Sequence, residues 1–169
     1  ADAPGVLAGN PVDVVHGDKV DRAIDLFLPR SSPGPTLGEP VHLVFSRVYS
    51  SRGMGSEAFG PGWRHGYETR LHAVREADGT VELQVLQADG RLVRFGPPSE
   101  APGRSIRHLA RDRGDGVLDA TTRDNGSRDR EWTWRWRDGR WLVFRADGRL
   151  VRIGDQTGSR LALDYDATD

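Results

Sequence analysis

A ten-residue stretch of this chain occurs twice: QADGRLVRFG at residues 87–96 returns as RADGRLVRIG at residues 145–154, identical at eight of ten positions. Repetition this close constrains the fold, because a repeating unit buries its apolar face chiefly by stacking on its neighbours. The unit itself has a physical reading. Its Asp-Gly pair supplies the positive-φ turn of a tight hairpin, and the residues that follow alternate as a strand does. The expected class is all-β, an antiparallel meander of β-hairpins that builds a shell.

The rest of the chain divides around that unit. Residues 1–10 read as a flexible leader of small side chains, and residues 11–96 as a β-rich module that precedes the repeats. Within it PVDVV forms a short strand, and a turn follows at His16-Gly17-Asp18-Lys19. The next strand carries Val20, Ile24, Leu26 and Leu28 on one face and Asp21 and Asp25 on the other. VHLVFSRVYSSR, over residues 41–52, is β-branched, aromatic and alternating. A further strand is expected from Trp63 through Tyr67 and Leu71, before hairpins at Asp78-Gly79 and Asp89-Gly90. Residues 97–130 read as a polar, loop-rich segment with short strands near residues 106–109 and 117–121. Residues 104–113 could manage one or two helical turns at most. Residues 131–169 return to the meander, with Gly139, Gly148 and Gly158 nine and ten residues apart, the spacing of successive hairpin turns.

Composition narrows the function. Charged residues make up 29% of the chain, yet the net charge is −1, which argues against a nucleic-acid or membrane-surface role. Cysteine is absent, so disulfides and thiolate metal sites are excluded. His16, His42, His65, His72 and His108 are scattered without metal-ligand spacing, so no metal or other cofactor is expected. Ser50 and Ser51 lack a nucleophile elbow. The glycines around Trp63 (FGPGWRHGYE) suit a structural corner better than a phosphate cradle, since no helix follows them.

Two constellations could carry function. Trp132, Trp134 and Trp136 alternate on one strand, so three indoles share one face. They either close a thin core, each cross-strand aromatic pair contributing roughly 0.2–1 kcal/mol, or offer a stacking platform, which makes a carbohydrate-binding β-module the alternative function. The second is GNPVDVVHGDK, with Asn10-Pro11 seven residues before Asp18 and a turn between them. The tertiary amide of an X-Pro bond is easily twisted. A hairpin closing at Gly17 could return the Asp18 carboxylate to that bond as general acid or base. The bland reading is an ordinary Asp in a turn.

Taken together, GNPVDVVHGDK, VHLVFSRVYSSR, FGPGWRHGYETRL, the DGRLVRF-type units and GRLVRIGDQTGSRLALDYD resemble the Rhs/YD-repeat polymorphic toxins, in particular the β-rich module that precedes the repeats and the first repeats themselves. The last stretch holds the Tyr165-Asp166 pair that names the repeat. The resemblance implies a β-cocoon wound around a C-terminal toxin used in bacterial competition, with this segment closing the N-terminal end of the shell. Its partners would be the remaining repeats, the toxin and a secretion spike protein or chaperone. It would be cytoplasmic before export, then secreted or delivered, by type VI secretion in many members. No turnover on external substrates is implied. Some members cleave themselves at Pro-Val, four residues, then Gly-Glu; Pro11, Val12 and Gly17 match, but Asp18 replaces the Glu. The shorter side chain displaces the carboxylate by about an ångström, which can cost roughly a hundredfold in rate. Ten residues still precede Pro11, as expected of a chain uncut there.

Overall fold

A computed structural model describes residues 7–8, 12–13, 17–28, 43–52, 59–100, 106–122 and 130–166. The fold is all-β and antiparallel throughout. Among the described residues fourteen strands form two meanders in which neighbours in sequence are neighbours in space. The five-stranded sheet comprises β1 (Leu7–Ala8), β2 (Val12–Asp13), β3 (Asp18–Leu28), β4 (Leu43–Ser50) and β5 (Trp63–His65). The nine-stranded sheet comprises β6 (Arg70–Arg75), β7 (Val81–Leu86), β8 (Leu92–Glu100), β9 (Ile106–Ala110), β10 (Val117–Thr122), β11 (Arg130–Arg135), β12 (Trp141–Phe144), β13 (Leu150–Gly154) and β14 (Arg160–Ala162).

One turn design joins five of these hairpins, over residues 76–80, 87–91, 136–140, 145–149 and 155–159. The first residue donates its N–H to the carbonyl of the fifth, and the glycine at position four donates back to the carbonyl of the first. Each glycine has φ between 83° and 87°, where a Cβ is strained. In four of the turns the Asp before the glycine accepts the N–H of the fifth residue: Asp78 from Thr80, Asp89 from Arg91, Asp138 from Arg140 and Asp147 from Arg149. The DQTGS turn keeps this function by another route. Asp155, at position one, accepts from the amides of both Thr157 and Ser159.

Two local expectations are corrected. A register shift between Ile24 and Leu26 makes Asp25 a bulge residue, so Leu26 and Leu28 lie opposite Phe45 and Leu43, on the face of Asp21 rather than that of Val20 and Ile24. Asp25 is held by Arg47 through two hydrogen bonds of 2.6 and 2.8 Å. The strand expected from Trp63 through Leu71 is broken by a 3₁₀ turn at Gly66–Glu68. There His65 Nδ1 accepts from the Tyr67 amide while Glu68 accepts from the His65 amide, and the chain passes from one sheet to the other. Residues 106–110 form strand β9, the short strand expected near residues 106–109: Ile106, His108 and Ala110 register against Ala120, Leu118 and Gly116 in an antiparallel ladder.

The nine-stranded sheet curls until its first strand meets the β12–β13 turn. The Leu71 amide donates to the Gly148 carbonyl at 3.0 Å, and Arg70 bridges to Arg149. Inside lie Leu71, Leu83, Val85, Val93, Phe95, Ala110, Leu118, Trp134, Phe144 and Leu150. The largest, Trp134, meets Phe95 edge-on at 5.8 Å. Each fully buried large side chain contributes roughly 1.5–3 kcal/mol. The opposite face is a lattice of charge. Asp119, 5% exposed, is bracketed by Arg107 and Arg135 from the two adjoining strands, and Glu82 pairs with Arg111 at 2.6 Å.

Gly148 is the position where turn and seam coincide. A Cβ there would sit 2.0 Å from the Leu71 carbonyl oxygen, whereas a Cβ on Gly90, with nearly the same φ, meets nothing within 4 Å. Gly90→Ala should therefore cost about 1–2 kcal/mol from backbone strain alone. Gly148→Ala should cost roughly 2 kcal/mol more, because the seam must part. Urea denaturation of the two variants measures the difference.

Candidate functional site

Asp18 opens β3 directly after Gly17, whose φ is +65°. Its carboxylate is fully engaged by the end of β4. Ser50 Oγ donates to one oxygen at 2.6 Å, while Ser51 Oγ and the Arg52 amide donate to the other at 2.7 and 3.2 Å. Ser51 doubles the link, since its hydroxyl accepts the Lys19 amide at 3.0 Å and its own amide donates to the Lys19 carbonyl. Burial pushes the Asp18 pKa up, but the hydrogen bonds from Ser50, Ser51 and Arg52 outweigh it and hold the group below the usual carboxylate range. So held, Asp18 is ionised at neutral pH. It has no proton to give, and its basicity is weak.

Asn10 and Pro11, the candidate scissile pair, lie outside the described residues, as does His16. What the structure brings to Asp18 is the Ser50-Ser51-Arg52 corner. Sequence reasoning missed this role for the two serines. They stand more than thirty positions from Asp18, and only the β3–β4 register, Val20 opposite Ser50, closes that distance.

The three tryptophans separate in role. Trp134 is completely buried and donates its indole N–H to the Asp115 carbonyl, leaving no ring face for a ligand. Trp136 lies against it, ring centroids 3.9 Å apart, with the Arg140 guanidinium 5.6 Å from its own ring. Trp132 is half-buried and meets His108 edge-on at 5.8 Å. His108 is itself fixed by a 2.9 Å hydrogen bond between Nδ1 and the Gly96 carbonyl. The stripe thus backs the core and does not form a three-ring platform. Among the described residues no group of three or more His, Asp or Glu side chains is placed to hold a metal ion.

Beside the seam lies a cavity of about 470 Å³ lined by Leu71, Ala73, Leu83, Trp132, Arg70 and Asp147, among others. Tyr165 closes over the neighbouring turn. Its hydroxyl donates to the Leu150 carbonyl at 2.7 Å, and the guanidinium groups of Arg145 and Arg149 lie 5.4 and 5.1 Å from its ring. Burial raises the Tyr165 pKa against the pull of those arginines, so the phenol stays protonated and its hydrogen bond is kept. Tyr165 is therefore a latch on the preceding hairpin.

The described residues make up an all-β segment of turn-linked hairpins in two antiparallel meanders. Residues 9–95 match the family described as a domain of unknown function (DUF6531), and since the match spans just over half of the chain, the chain belongs to that family. It is also 32% identical, over 181 aligned positions, to the double-stranded DNA deaminase toxin A of Burkholderia cenocepacia. That alignment takes in 97% of this chain but 12% of the relative, so the chain spans about an eighth of the toxin it matches. The segment is thus related to part of a toxin. No solved structure matches it.

The Asp18 clamp has a pH signature. Its folded-state pKa is depressed, so the stability it lends is present above the ordinary carboxylate pKa and lost as pH falls through the lower, folded value. Hydrogen exchange at the Lys19, Ser51 and Arg52 amides should accelerate relative to the β7 and β8 amides as pH is taken below about 4. In Asp18→Asn the same amides should already exchange faster at pH 7 and show no such acid step.

Proposed function

We propose that this chain is a structural module of a polymorphic toxin, a wall segment that closes the N-terminal end of a toxin-enclosing Rhs/YD-type shell. The observation that carries the reading is the alignment: nearly the whole chain is related to about an eighth of a much longer toxin. The curled sheet supports it. Its hairpins repeat one turn design and stack strand on strand, so the same unit can be extended without redesign. On this reading the chain turns over no external substrate, and the activity named for the relative belongs to other parts of that protein. The partners are the further repeats and the toxin of a longer chain, with a secretion spike or chaperone, and the shell is delivered out of the producing bacterium.

Self-cleavage before Pro11 enters the same proposal only as an outcome to be measured. The Asp18 geometry favours a clamp: three donors already occupy the carboxylate that such a reaction would need free.

Two measurements test these statements in a longer chain that carries this segment. Charging the core with Val85→Asp should open the shell. The C-terminal toxin should then become protease-sensitive and harm its producing cell, while an exposed change such as Leu92→Asp should do neither. Equal protection of the toxin in both variants would sink the enclosure reading. Intact mass of the wild-type chain beside Asp18→Ala should show both unbroken at Asn10-Pro11; a break there that disappears in the variant would make Asp18 a processing residue.

A further inference from the structure

The first strand of the curled sheet has an open side. The Leu71 amide points away from β7, since it reaches Gly148, while the Glu76 amide points toward the β7 side, to Thr80. Alternation in an antiparallel ladder then directs the N–H and C=O of Ala73 and Arg75 outward with those of Leu71. Leu71 is taken by the β12–β13 turn. The main-chain groups of Ala73 and Arg75 have no partner among the described residues, and both residues are exposed. The 470 Å³ cavity adjoins this free stretch, with Ala73, Leu83 and Trp132 in its wall. The docked turn marks where the free stretch ends.

The charge at this edge is one-sided. Arg70 and Arg75, at the two ends of β6, form no ion pair among the described residues, and Arg145 and Arg149 share one carboxylate, Asp147, at 3.0 and 3.9 Å. The nearby acids at the far turn compensate little: Asp78 is engaged by Thr80, and Glu76 stands exposed in solvent. His72 reports the same field. Burial lowers its pKa, and the adjacent Arg70 and Arg64 lower it further.

We propose that the free edge of β6 and the cavity beside it form a docking site for an extended acidic polypeptide segment. The segment would add as a strand, hydrogen-bonding to Ala73 and Arg75, with one apolar side chain in the cavity against Leu83 and Trp132 and, on its opposite face, acidic side chains near Arg70. Main-chain pairing supplies affinity in this mode, and the pocket supplies selection. A polyanion such as single-stranded DNA would meet the arginines but has no main-chain groups to pair with the edge.

The test uses the 169-residue chain and a fluorescein-labelled peptide, Glu-Phe-Glu-Val-Glu, read by anisotropy. Saturable binding is expected. Ala73→Pro removes one outward N–H without touching the β6–β7 ladder and should weaken binding about tenfold, the effect of losing one good hydrogen bond. Arg70→Glu should weaken it by at least as much. The peptide is also made in two N-methylated forms, one blocking each alternate set of amides. One form should bind like the parent and the other at least tenfold worse, which is the signature of strand addition. If Ala73→Pro does not fold, as judged by circular dichroism, the pair of N-methylated peptides decides. Equal binding of the two forms, no saturation at millimolar peptide, or a preference for a hexameric deoxythymidine strand over the peptide would overturn the proposal.

Discussion

A meander of antiparallel strands has one problem that its local structure cannot solve: an apolar face with nothing to cover it. Helices commonly do this work in mixed folds, but no α-helix forms among the described residues. The nine-stranded sheet covers itself by curling, and the curl is fastened where the Leu71 amide meets the Gly148 carbonyl. That contact requires a backbone approach that only glycine permits. The packing of Trp134 against Phe95, the burial of Leu150 and Phe144, and the cavity beside Trp132 all depend on the two ends having come together.

The outer face of the sheet is stabilised by different means. Side chains there are long and charged, and strand pairing sets opposite charges side by side: Asp119 with Arg107 and Arg135, Glu131 with Arg152, Glu82 with Arg111. Arginine suits the task because its planar fork can serve a carboxylate with two donors while its stem covers the strand beneath. The carboxylates of Asp119 and Glu82 are buried and their guanidinium partners stay partly in water. Losing the arginines would leave buried charge, whereas the pairs themselves add less to net stability than their number suggests. Their larger effect is on register, since a one-residue slip would send every charge to the inner face.

Much of the fold was legible in the residues. The Asp-Gly pairs announced four of the hairpins because the turn needs a positive φ at one position and these four take a carboxylate acceptor just before it, and both features are local. The alternation of β11 likewise placed Trp132 and Trp134 on the inner face. Features that depend on more than one strand were less legible. The Asp25 bulge, which moves Leu26 and Leu28 to the other face, is a compromise between β3 and β4 together, held by Arg47 from the neighbouring strand. The 3₁₀ break after β5 depends on His65, whose ring stacks on Phe45 while its Nδ1 caps the turn; alternation through Tyr67 conceals it.

The candidate site divides along the same line. Asp18 stood out by its place after Gly17, and the repeat and the tryptophan stripe marked the meander and its core. Those are the properties the sequence by itself determined: the class of fold, the position of the turns and the identity of the inner face, because each arises from interactions within a few residues. The tertiary structure alone decided that Ser50, Ser51 and Arg52 lock the Asp18 carboxylate, that Gly148 seals the curl, that Tyr165 latches the last hairpins and that Ala73 and Arg75 are left open beside a cavity. Each of these joins groups distant in the chain, or leaves groups unjoined, and only the register and curvature of the whole sheet settle which.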